Sequence, residues 1–552
     1  MISSEKIRFQ IKRIVNFLKI FVKNSKGIAG VVIIAFFTIL ALFPSAITPY
    51  DPITDRRLAG SFAAPSWLRT LPPALGGNPY LSENMVIVND PNIKTNNSLN
   101  EWNLITQQGI TIQWSSGPTI RNPYGDPGTI LLTFKRESGE SFGNVTALLY
   151  KEFSYPYKGP PSKFMGAISL FVNGTATNVT VTVPDTSNPN VWPIPYINIT
   201  KYILDTPVNV QVFIARKDGE EWQEWKVWPA PGFKLKGATS DGTFLNFTNE
   251  WVTSLTGYTL TSETSEIVNM FRKQFMKDPI QVIFERAKLP TQFRFGVKIT
   301  FIDTNATKSP ETNVFIDNLY LNLYGTSWGL LGTDSEGRDL FSQLVYGARI
   351  SLYVGLLSAG LSVIIGLIIG LAAGFLGGII DEILMRFSDM LLVLPTLPLL
   401  MILVSVLGAR IENLILLLGI LGWMGFARVV RSQVLSLKER PFVEAAKATG
   451  AGKIHIIGRH ILPNVMPLVY VTLASTVPGS IVAEAALSWL GFADPMRMSW
   501  GRMLHEVQAN SAYMCWWWII PPGLCIALVA MAFILLGYAL DEVLNPRLRT
   551  RR

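Results

Sequence analysis

Apolar and polar residues are unevenly distributed along this chain of 552 residues. Six runs are apolar over a length close to the ~17–25 residues that a helix needs to cross a lipid bilayer. The predicted spans are roughly Gly27–Ile47, Ser351–Leu376, Ile383–Leu407, Leu414–Val430, Val465–Leu490 and Trp516–Leu540. The pattern therefore predicts an α-helical polytopic membrane protein with six transmembrane helices, of which helices 2–6 lie within residues 351–546.

The first apolar run also has features of a signal peptide, because basic residues precede a short apolar core and "PSA" follows it. However, the basic lead extends over residues 1–26, which is long for a signal peptide. The apolar run also reaches spanning length. We therefore expect a basic cytoplasmic tail at 1–26 and a transmembrane helix at 27–48.

Positive charge is concentrated in three clusters that lie beside the apolar runs. These clusters are Lys6, Arg8, Lys12, Arg13, Lys19, Lys23 and Lys26; Arg428, Arg431, Lys438, Arg440, Lys447, Lys453 and Arg459; and Arg547, Arg549, Arg551 and Arg552. Six spans place all three on one side, and Lys- and Arg-rich loops face the cytoplasm. This predicts a multi-pass plasma-membrane protein with cytoplasmic termini, a basic cytoplasmic tail at 547–552, a cytoplasmic loop at 432–463 and an extracytoplasmic block at 53–325.

The composition supports a membrane protein with a sizeable water-exposed part. Hydrophobic residues make up 49% of the chain, charged residues only 16%, and the mean hydropathy is +0.30. The net charge of +9 would also suit nucleic-acid binding, but its clustering beside apolar runs favours a membrane surface, so no nucleic-acid partner is expected. The only cysteines are Cys515 and Cys525, which excludes a disulfide framework.

The polar block between the first two spans has the alternating pattern of β-strands. Examples are "NVTVTV" (Asn178–Val183), "FRFGVKITFI" (Phe293–Ile302) and "VFIDNLYLNLYG" (Val314–Gly325), separated by Pro, Gly and Asn turns. We expect an inserted all-β sandwich, and its last strand resembles that of jelly-roll carbohydrate-binding modules. The block contains no His and no Cys, which excludes a His-based triad or a Cys/His metal site within it, and no metal site is expected in the chain. Four tryptophans are candidates for stacking on sugar rings or for core and rim positions: Trp192, Trp222, Trp225 and Trp228.

The same block carries seven N-x-S/T sequons. The candidate glycosylation sites are Asn96, Asn144, Asn173, Asn178, Asn198, Asn246 and Asn305. Use of these sites requires an exterior location, and it would indicate an archaeon or another organism that glycosylates its surface proteins. A composition rich in Asn and Thr is the alternative origin of the sequons.

A polar stretch between the fourth and fifth spans reads "EAAKATGAGKIHIIGRHILPN" (Glu444–Asn464). Pro441 suits a first helical turn and Gly450 a left-handed helix stop, so we predict a helix at 441–449, a turn at 450–452 and a second helix to about residue 461. Val443, Ala446 and Ala448 would offer an apolar surface, and Glu444 and Lys447 would offer charge. The segment either binds in a groove of another protein or is an ordinary loop between two spans.

Several motifs of this chain resemble those of a known transporter family. Glu444, Ala445, Ala446, Gly450, Leu462 and Pro463 match the "EAA" loop of membrane subunits of binding-protein-dependent ABC importers, although His460 stands where the general pattern has Ile. "RHILPN" (Arg459–Asn464) is typical of the dipeptide/oligopeptide permease branch. "LGTDSEGRDLFSQLVYGARISL" before the second span, "MRFSDMLLVLPTLPL" in the third, and "AEAALSWLGF" with "SWGRML" at the fifth also resemble that branch, in its C-type subunits. The tail departs from the pattern at Tyr538, Asp541 and Asn545.

The resemblance implies the type I ABC importer fold and a defined set of partners. A second homologous permease subunit, two ABC ATPase subunits that bind ATP and Mg, and an extracytoplasmic solute-binding protein would complete the assembly in the lipid bilayer. The sequence contains no G-x-x-x-x-G-K-[ST] loop, so we expect no ATPase site, no cofactor and no enzyme activity in this chain. The partner ATPases would drive transport through the loop that contains Glu444–Gly450, and transport would move oligopeptides or oligosaccharides into the cell.

Polar residues in or beside the spans give further candidate sites. Glu484 in the fifth span would line the pathway or form a structural pair. Arg386 and Asp389, three residues apart, are expected to pair with each other, and Pro395 is expected to mark a bend. The segment 331–350 is expected to be amphipathic and external, with a short helix between Gly332 and Leu344. Its signature residues are Gly332, Thr333, Asp334, Gly337, Arg338 and Asp339.

Two other functional classes compete with an importer subunit. A membrane-anchored surface carbohydrate-binding protein or adhesin would use the β-rich block as its working part, but it would not need the ordered permease motifs. A stand-alone secondary transporter or channel would show inverted repeats and more charge within the membrane. Co-purification of ATPases and a second permease would distinguish the importer from both.

Overall fold

The computed structural model of the chain describes residues 24–118, 128–137, 143–184, 196–229, 251–253, 260–303 and 309–544. The chain forms two compact units. The membrane unit consists of the residues up to Leu58 and those from Gly329 onward, and the insert unit extends from Ala59 to Trp328. The insert unit thus begins and ends close to the predicted limits of 53 and 325.

The insert unit is built mainly from antiparallel strands. In chain order they are β1 Met85–Val86, β2 Asn103–Thr106, β3 Ile110–Ser115, β4 Thr129–Lys135, β5 Asn144–Tyr155, β6 Lys163–Gly174, β7 Ala176–Pro184, β8 Tyr196–Leu204, β9 Val208–Asp218, β10 Glu221–Trp228, β11 Val252–Thr253, β12 Leu260–Thr261, β13 Thr291–Ile302 and β14 Glu311–Tyr324. One sheet has the order β11-β6-β14-β4-β3, with β1 beside β14 and β12 beside β6, and the other has the order β10-β9-β13-β5-β2. β7 and β8 form a separate two-stranded antiparallel sheet.

The two large sheets face each other across one apolar core. Alternate side chains of β9 and β13 point into this core, which explains the period-two pattern of those segments. Phe134 of one sheet stacks on Phe301 of the other, with ring centroids 5.3 Å apart. Burial of one such side chain contributes about 1.5–3 kcal/mol, so the shared core accounts for the cohesion of the sandwich. The predicted inserted β domain is confirmed.

The insert also contains helices that the alternating pattern did not predict. The helix α3 (Ser265–Phe275) buries Ile267 and Phe271, and α4 (Pro279–Ile283) follows it. Of the candidate sugar-stacking residues, Trp225 and Trp228 are buried in the core, and the guanidinium of Arg216 lies 5.0 Å from the ring centroid of Trp225. These two tryptophan rings are therefore part of the apolar core and are not available for stacking on sugars. Trp192 lies outside the described residues.

The two ends of the insert lie side by side. Ala64 forms an isolated parallel bridge with Ser327, and the Ser327 backbone nitrogen donates to the Ser82 carbonyl oxygen at 2.9 Å. Within the membrane unit, the Leu58 nitrogen donates to the carbonyl oxygen of Gly337, also at 2.9 Å. The chain therefore enters and leaves the sandwich through adjacent segments.

The membrane unit is helical. Its helices are α1 Ser25–Leu42, α2 Pro44–Ile47, α5 Leu340–Leu376, α6 Gly378–Val393, α7 Thr396–Leu407, α8 Ile411–Ile420, α9 Met424–Lys438, α10 Pro441–Ala448, α11 Lys453–Ile456, α12 Leu462–Leu487, α13 Trp500–Ala509 and α14 Trp516–Leu544. Within the described residues, five helical stretches are long and apolar enough to cross a membrane, and a bent pair could form a sixth. The polytopic helical architecture is confirmed.

The bent pair occupies the position of the third predicted span. Helices α6 and α7 meet at an angle of 89°, with Leu394 extended and Pro395 as the N-cap of α7. A proline disfavours helical conformation in the residue before it, so the break follows from the sequence. The fourth stretch runs from Ile411 to Lys438 and is longer than the predicted Leu414–Val430.

Glycines spaced four residues apart bring α5 and α9 into close contact. A Cβ atom added at Gly370 would lie 2.6 Å from the Ala427 carbonyl oxygen, and one at Gly374 would lie 2.8 Å from the Val434 Cβ. Small residues allow two helix backbones to approach each other in a membrane. The glycines of α5 therefore pack this helix against α9.

Candidate functional site

The segment between α9 and α12 forms two short helices joined at Gly450. Helix α10 begins at Pro441 and ends at Ala448, close to the predicted range of 441–449. Its side chain Val443 is fully buried in an apolar cluster that also contains residues of α9, α11 and α12. The buried members of this cluster are Val363, Phe375, Phe426, Val430, Val434, Val443, Ile456, Ile461, Val465 and Val469. Val443 is therefore an anchor and does not form part of an exposed surface, contrary to the sequence-based expectation.

Gly450 ends α10 in the left-handed conformation, with φ of +81°. The Gly450 nitrogen donates to the Lys447 carbonyl oxygen at 2.9 Å, and the Ala451 nitrogen donates to the Ala446 carbonyl oxygen at 3.1 Å. These bonds satisfy carbonyl groups at the helix end, where glycine is preferred because it has no Cβ. The left-handed backbone at position 450 thus favours a glycine.

The outer face of this segment combines charges with apolar side chains. Glu444, Ala445 and Lys447 are exposed, and Ala446 is half-buried. At the start of α12, Leu462 is half-buried and Pro463 is exposed. Phe442 and Ile454 are also exposed, and 87% of the Ile454 surface is accessible. The sequence analysis missed Phe442 and Ile454 as surface residues, because two short helices leave their inner and outer faces ambiguous.

The residues Gly332–Asp339 form a compact loop, and α5 begins only at Leu340. The predicted short helix from Gly332 to Leu344 is therefore wrong for residues 332–339, whereas residues 340–344 form the first part of α5. Gly332 and Gly337 have φ of +78° and +75°, and Thr333 bridges to Asp339. Two left-handed glycines are incompatible with a continuous helix, which gives the physical reason for the difference.

The loop encloses a buried charged network. The Asp334 carboxylate is fully buried and accepts from Arg338 Nε and from Gln343 Nε2, both at 2.6 Å. It also accepts from the backbone nitrogens of Glu336 and Arg338 at 2.8 and 2.9 Å. Asp339 caps α5 by accepting from the Ser342 nitrogen at 2.7 Å. The signature residues thus bind one another and fix the start of α5.

The network extends to α13 through Glu506. Arg338 Nη2 donates to Glu506 Oε2 at 2.9 Å, and Arg502 Nε donates to Glu506 Oε1 at 3.1 Å. Burial raises the pKa of the Glu506 carboxyl, and Arg338 and Arg502 offset only part of this shift. The sequence analysis missed Gln343, Arg502 and Glu506. A buried Asp334 needs partners, but α13 lies more than 150 residues away along the chain, so the pattern gave no indication of them.

Glu484 is buried inside the membrane unit near the end of α12. Its Oε1 accepts from Ser488 Oγ at 2.9 Å and from Ser499 Oγ at 2.7 Å. Ser499 also caps α13, because its Oγ accepts from the Arg502 nitrogen at 3.0 Å. Of the two alternatives for Glu484, the geometry supports a structural link between α12 and α13.

Arg386 and Asp389 do not pair with each other, so this prediction is wrong. Arg386 Nη2 lies 3.5 Å from Glu382 Oε1, one turn earlier in α6. Asp389 pairs with Arg428 of α9. The preference for pairs four residues apart explains the first contact, and the packing of α6 beside α9 explains the second.

The sequons of the insert are accessible where they are described. Asn96, Asn144, Asn173, Asn178 and Asn198 are all exposed. Asn246 and Asn305 lie outside the described residues. Among the described residues, no group of three or more His, Cys, Asp or Glu side chains is placed so that it could hold a metal ion.

Comparisons with known proteins place these features in a family context. The family described as "Binding-protein-dependent transport system inner membrane component" matches residues 366–550. The dipeptide transport system permease protein DppC of Bacillus subtilis is 41% identical over 219 residues, which are 40% of this chain and 68% of DppC. The oligopeptide transport system permease protein OppC of the same organism is 39% identical over 219 residues, which are 40% of this chain and 72% of OppC.

Among solved structures, the carbohydrate-binding module TmCBM61 in complex with β-1,4-galactotriose is 10% identical, and the match covers 43% of this chain and 97% of the module with a TM-score of 0.20. A likeness this weak assigns no ligand to this chain. The match to the dipeptide permease is different, because its identity and coverage of the relative are both high. The chain therefore belongs to the binding-protein-dependent transport system inner membrane components, the permease subunits of ABC importers, and its relatives are dipeptide and oligopeptide permeases.

Proposed function

We propose that this chain is the membrane subunit of an ATP-driven peptide importer in the plasma membrane and forms the translocation pathway with a second permease subunit. A solute-binding protein delivers the peptide from outside, and two ABC ATPases bind ATP and Mg below the membrane. The names of the relatives favour a peptide over an oligosaccharide as the transported solute.

One observation carries this proposal: the outer face of the α10–α11 segment is exposed while its inner face is anchored. Val443 fixes α10 to α9 and α12, whereas Glu444, Ala445 and Ile454 are accessible to a partner. A partner that binds this face would move α9 and α12 together with α10, because the buried Val443 holds the three helices together. ATP binding would thus close the two ATPases and switch the permease between inward-facing and outward-facing states.

The orientation follows from the same proposal. The α10–α11 segment faces the cytoplasm together with both termini, and the insert faces the exterior. The exposure of Asn96, Asn144, Asn173, Asn178 and Asn198 supports an exterior insert that carries glycans. Digestion of intact cells with a glycosidase would shift the mobility of the chain on a gel if these sites are used.

The proposal is tested by purifying the full-length chain with its partners and measuring ATP hydrolysis and peptide uptake in proteoliposomes. Two ATPases and a second permease should co-purify. Glu444→Lys should abolish uptake and release the ATPases, because it reverses a charge on the exposed face of α10 that binds them. Glu439→Lys is the matched control, because Glu439 is also exposed but lies before α10.

Two outcomes would contradict the proposal. Normal uptake by Glu444→Lys, with ATPases still bound, would contradict a gripping role for this face. A wild-type chain that purifies without any ATPase would instead support the adhesin alternative.

A further inference from the structure

One exposed loop of the insert unit is uncharged and mainly apolar. It consists of residues 70–77, which read "TLPPALGG", and is called the apolar loop below. Residues 72–76 are all exposed, and 69% of the Leu75 surface is accessible. Trp67 and Tyr80, which lie just outside the loop on either side, are exposed as well. A contiguous exposed apolar segment of this kind marks a surface that contacts a partner or a membrane.

The charged residues nearest to the apolar loop along the chain pair with each other. No Asp, Glu, Lys or Arg occurs between Arg69 and Glu83. Arg69 Nη2 donates to Glu83 Oε1 at 2.8 Å, and the Arg69 guanidinium lies 5.4 Å from the ring centroid of Tyr157. The exposed turn between β9 and β10 is different, because it carries the charges of Glu220 and Glu221. The apolar loop therefore lacks the formal charges that keep a turn in water.

The backbone of the apolar loop is also suited to leaving water. Pro72 and Pro73 have no N–H group that would need an acceptor. The nitrogens of Leu75 and Gly77 both donate to the Pro72 carbonyl oxygen, at 2.9 and 3.1 Å. The Gly76 nitrogen donates to the Pro73 carbonyl oxygen at 3.0 Å. Because an N–H group without a partner is costly in lipid, these internal bonds lower the cost of moving the loop into apolar surroundings.

The shape of the apolar loop is fixed at its base. The Asn78 nitrogen donates to the Leu68 carbonyl oxygen at 2.8 Å, and the Leu68 side chain is buried. Gly77 packs so closely on the loop that an added Cβ would overlap the Leu71 carbonyl oxygen. A loop held in one conformation loses little conformational entropy when it binds.

The base of the apolar loop is close along the chain to the membrane unit. Leu58 is the last residue of the membrane unit before the insert, and the membrane unit resumes at Gly329. The Trp328 nitrogen donates to the Ala64 carbonyl oxygen at 2.8 Å, so both chain connections meet just before Leu68. This short tether keeps the loop within reach of the lipid surface and favours lipid over a soluble protein as its partner.

We infer that the apolar loop enters the interfacial layer of the outer lipid leaflet, where Leu75 contacts lipid and Trp67 and Tyr80 lie among the head groups. Trp and Tyr are enriched at that level because each combines an apolar ring with a polar group. The inference goes beyond the proposed function, since transport does not require it. Only the choice of the outer leaflet rests on the orientation proposed above.

The experiment measures fluorescence quenching of a bimane label on single cysteines of the full-length chain, purified with its partners in phosphatidylcholine nanodiscs. Cys515 and Cys525 are first replaced by Ala. A label on Leu75→Cys should be quenched by phosphatidylcholine that is brominated on its acyl chains. Quenching of this label by iodide should be about five-fold or more weaker than for a water-exposed label, because an anion is excluded from the apolar layer.

The matched control is Ile105→Cys in the edge strand β2. Ile105 is an exposed apolar residue of the same unit, but its neighbours Thr106 and Gln107 are polar and exposed. Iodide should quench its label, and the brominated lipid should not. Trp67→Cys gives a second test position, where both quenchers should act because the head-group level meets water and lipid.

Each contrary outcome has a separate meaning. If iodide quenches the labels at positions 75 and 105 equally and brominated lipid quenches neither, the apolar loop lies in water and the inference is wrong. If both quenchers fail at position 75, a protein covers the loop and the inference is also wrong. Absence of ATP-driven uptake by the wild-type preparation would contradict the proposed function and would leave the quenching result valid.

Discussion

Two charged segments of the membrane unit use similar residues in opposite ways. In the loop Gly332–Asp339 and its partner helix α13, carboxylates and guanidinium groups are buried and bind each other. In the α10–α11 segment, the charges are exposed and the buried residues are the apolar Val443 and Ile456. Buried paired charges fix one geometry, because moving one member leaves another charge uncompensated. Exposed charges on an anchored helix remain available to a partner.

The largest expected effect comes from breaking the buried network. Arg338→Gln removes a charged partner from both Asp334 and Glu506, and we expect it to lower the free energy of unfolding by about 3–5 kcal/mol. The measurement is the thermal unfolding midpoint of the purified chain in detergent. Arg497→Gln is the matched control, because the pair of Arg497 with Glu412 is half exposed. Equal midpoints for the two variants would contradict the contrast between buried and exposed charges.

A smaller loss of stability is expected from the anchor of α10. Val443→Ala should cost about 2 kcal/mol, because it removes buried methyl groups and leaves a cavity. Ile454→Ala should leave stability unchanged, since Ile454 is 87% exposed, but should weaken ATPase binding. Unfolding midpoints and co-purified ATPase are measured for both variants. If Ile454→Ala destabilises the chain as much as Val443→Ala, the claim that Val443 anchors α10 while Ile454 lies on an unburied face is wrong.

The turn at Gly450 can be tested with a neighbouring glycine as the control. Both Gly450 and Gly452 have open space around an added Cβ, but only Gly450 has a left-handed φ. Gly450→Ala should therefore cost about 1–2 kcal/mol and reduce uptake, whereas Gly452→Ala should have little effect. Unfolding midpoints and initial uptake rates are measured. Matching losses in both variants would show that the backbone conformation is not the cause.

The smallest effect is expected from the exposed pair of Glu382 and Arg386. The side chains are 68% and 79% exposed and lie 3.5 Å apart. Arg386→Gln should change the free energy of unfolding by less than ~0.5 kcal/mol, because water screens such pairs. A shift in the unfolding midpoint as large as that of Arg338→Gln would overturn this ranking.

The sequence predicts features that depend on local pattern. Alternating residues identify strands such as β13, Pro441 and Gly450 delimit α10, and Pro395 marks the break between α6 and α7. These features arise from backbone preferences and from burial on one face, which act over a few residues.

Features that depend on distant contacts were not predictable in the same way. The partner of Asp389 is on another helix, so the pairing with Arg386 was a false expectation. Arg338 pairs with Glu506 as well as with Asp334, and no local periodicity connects Arg338 to Glu506. The order of the permease motifs identified the family and included Asp334 and Arg338, but their partnership with Glu506 follows only from the packing of the loop before α5 against α13.

The segments through which the chain enters and leaves the insert are adjacent, which affects how the insert can be gained or lost in evolution. The Leu58–Gly337 hydrogen bond remains within the helical unit, and the Ala64–Ser327 bridge remains within the sandwich. A whole domain can therefore be gained or lost at this junction as a cassette, with the helices on either side joined by a short linker. The permease could acquire or discard its outer domain in one genetic event and keep its helical scaffold intact.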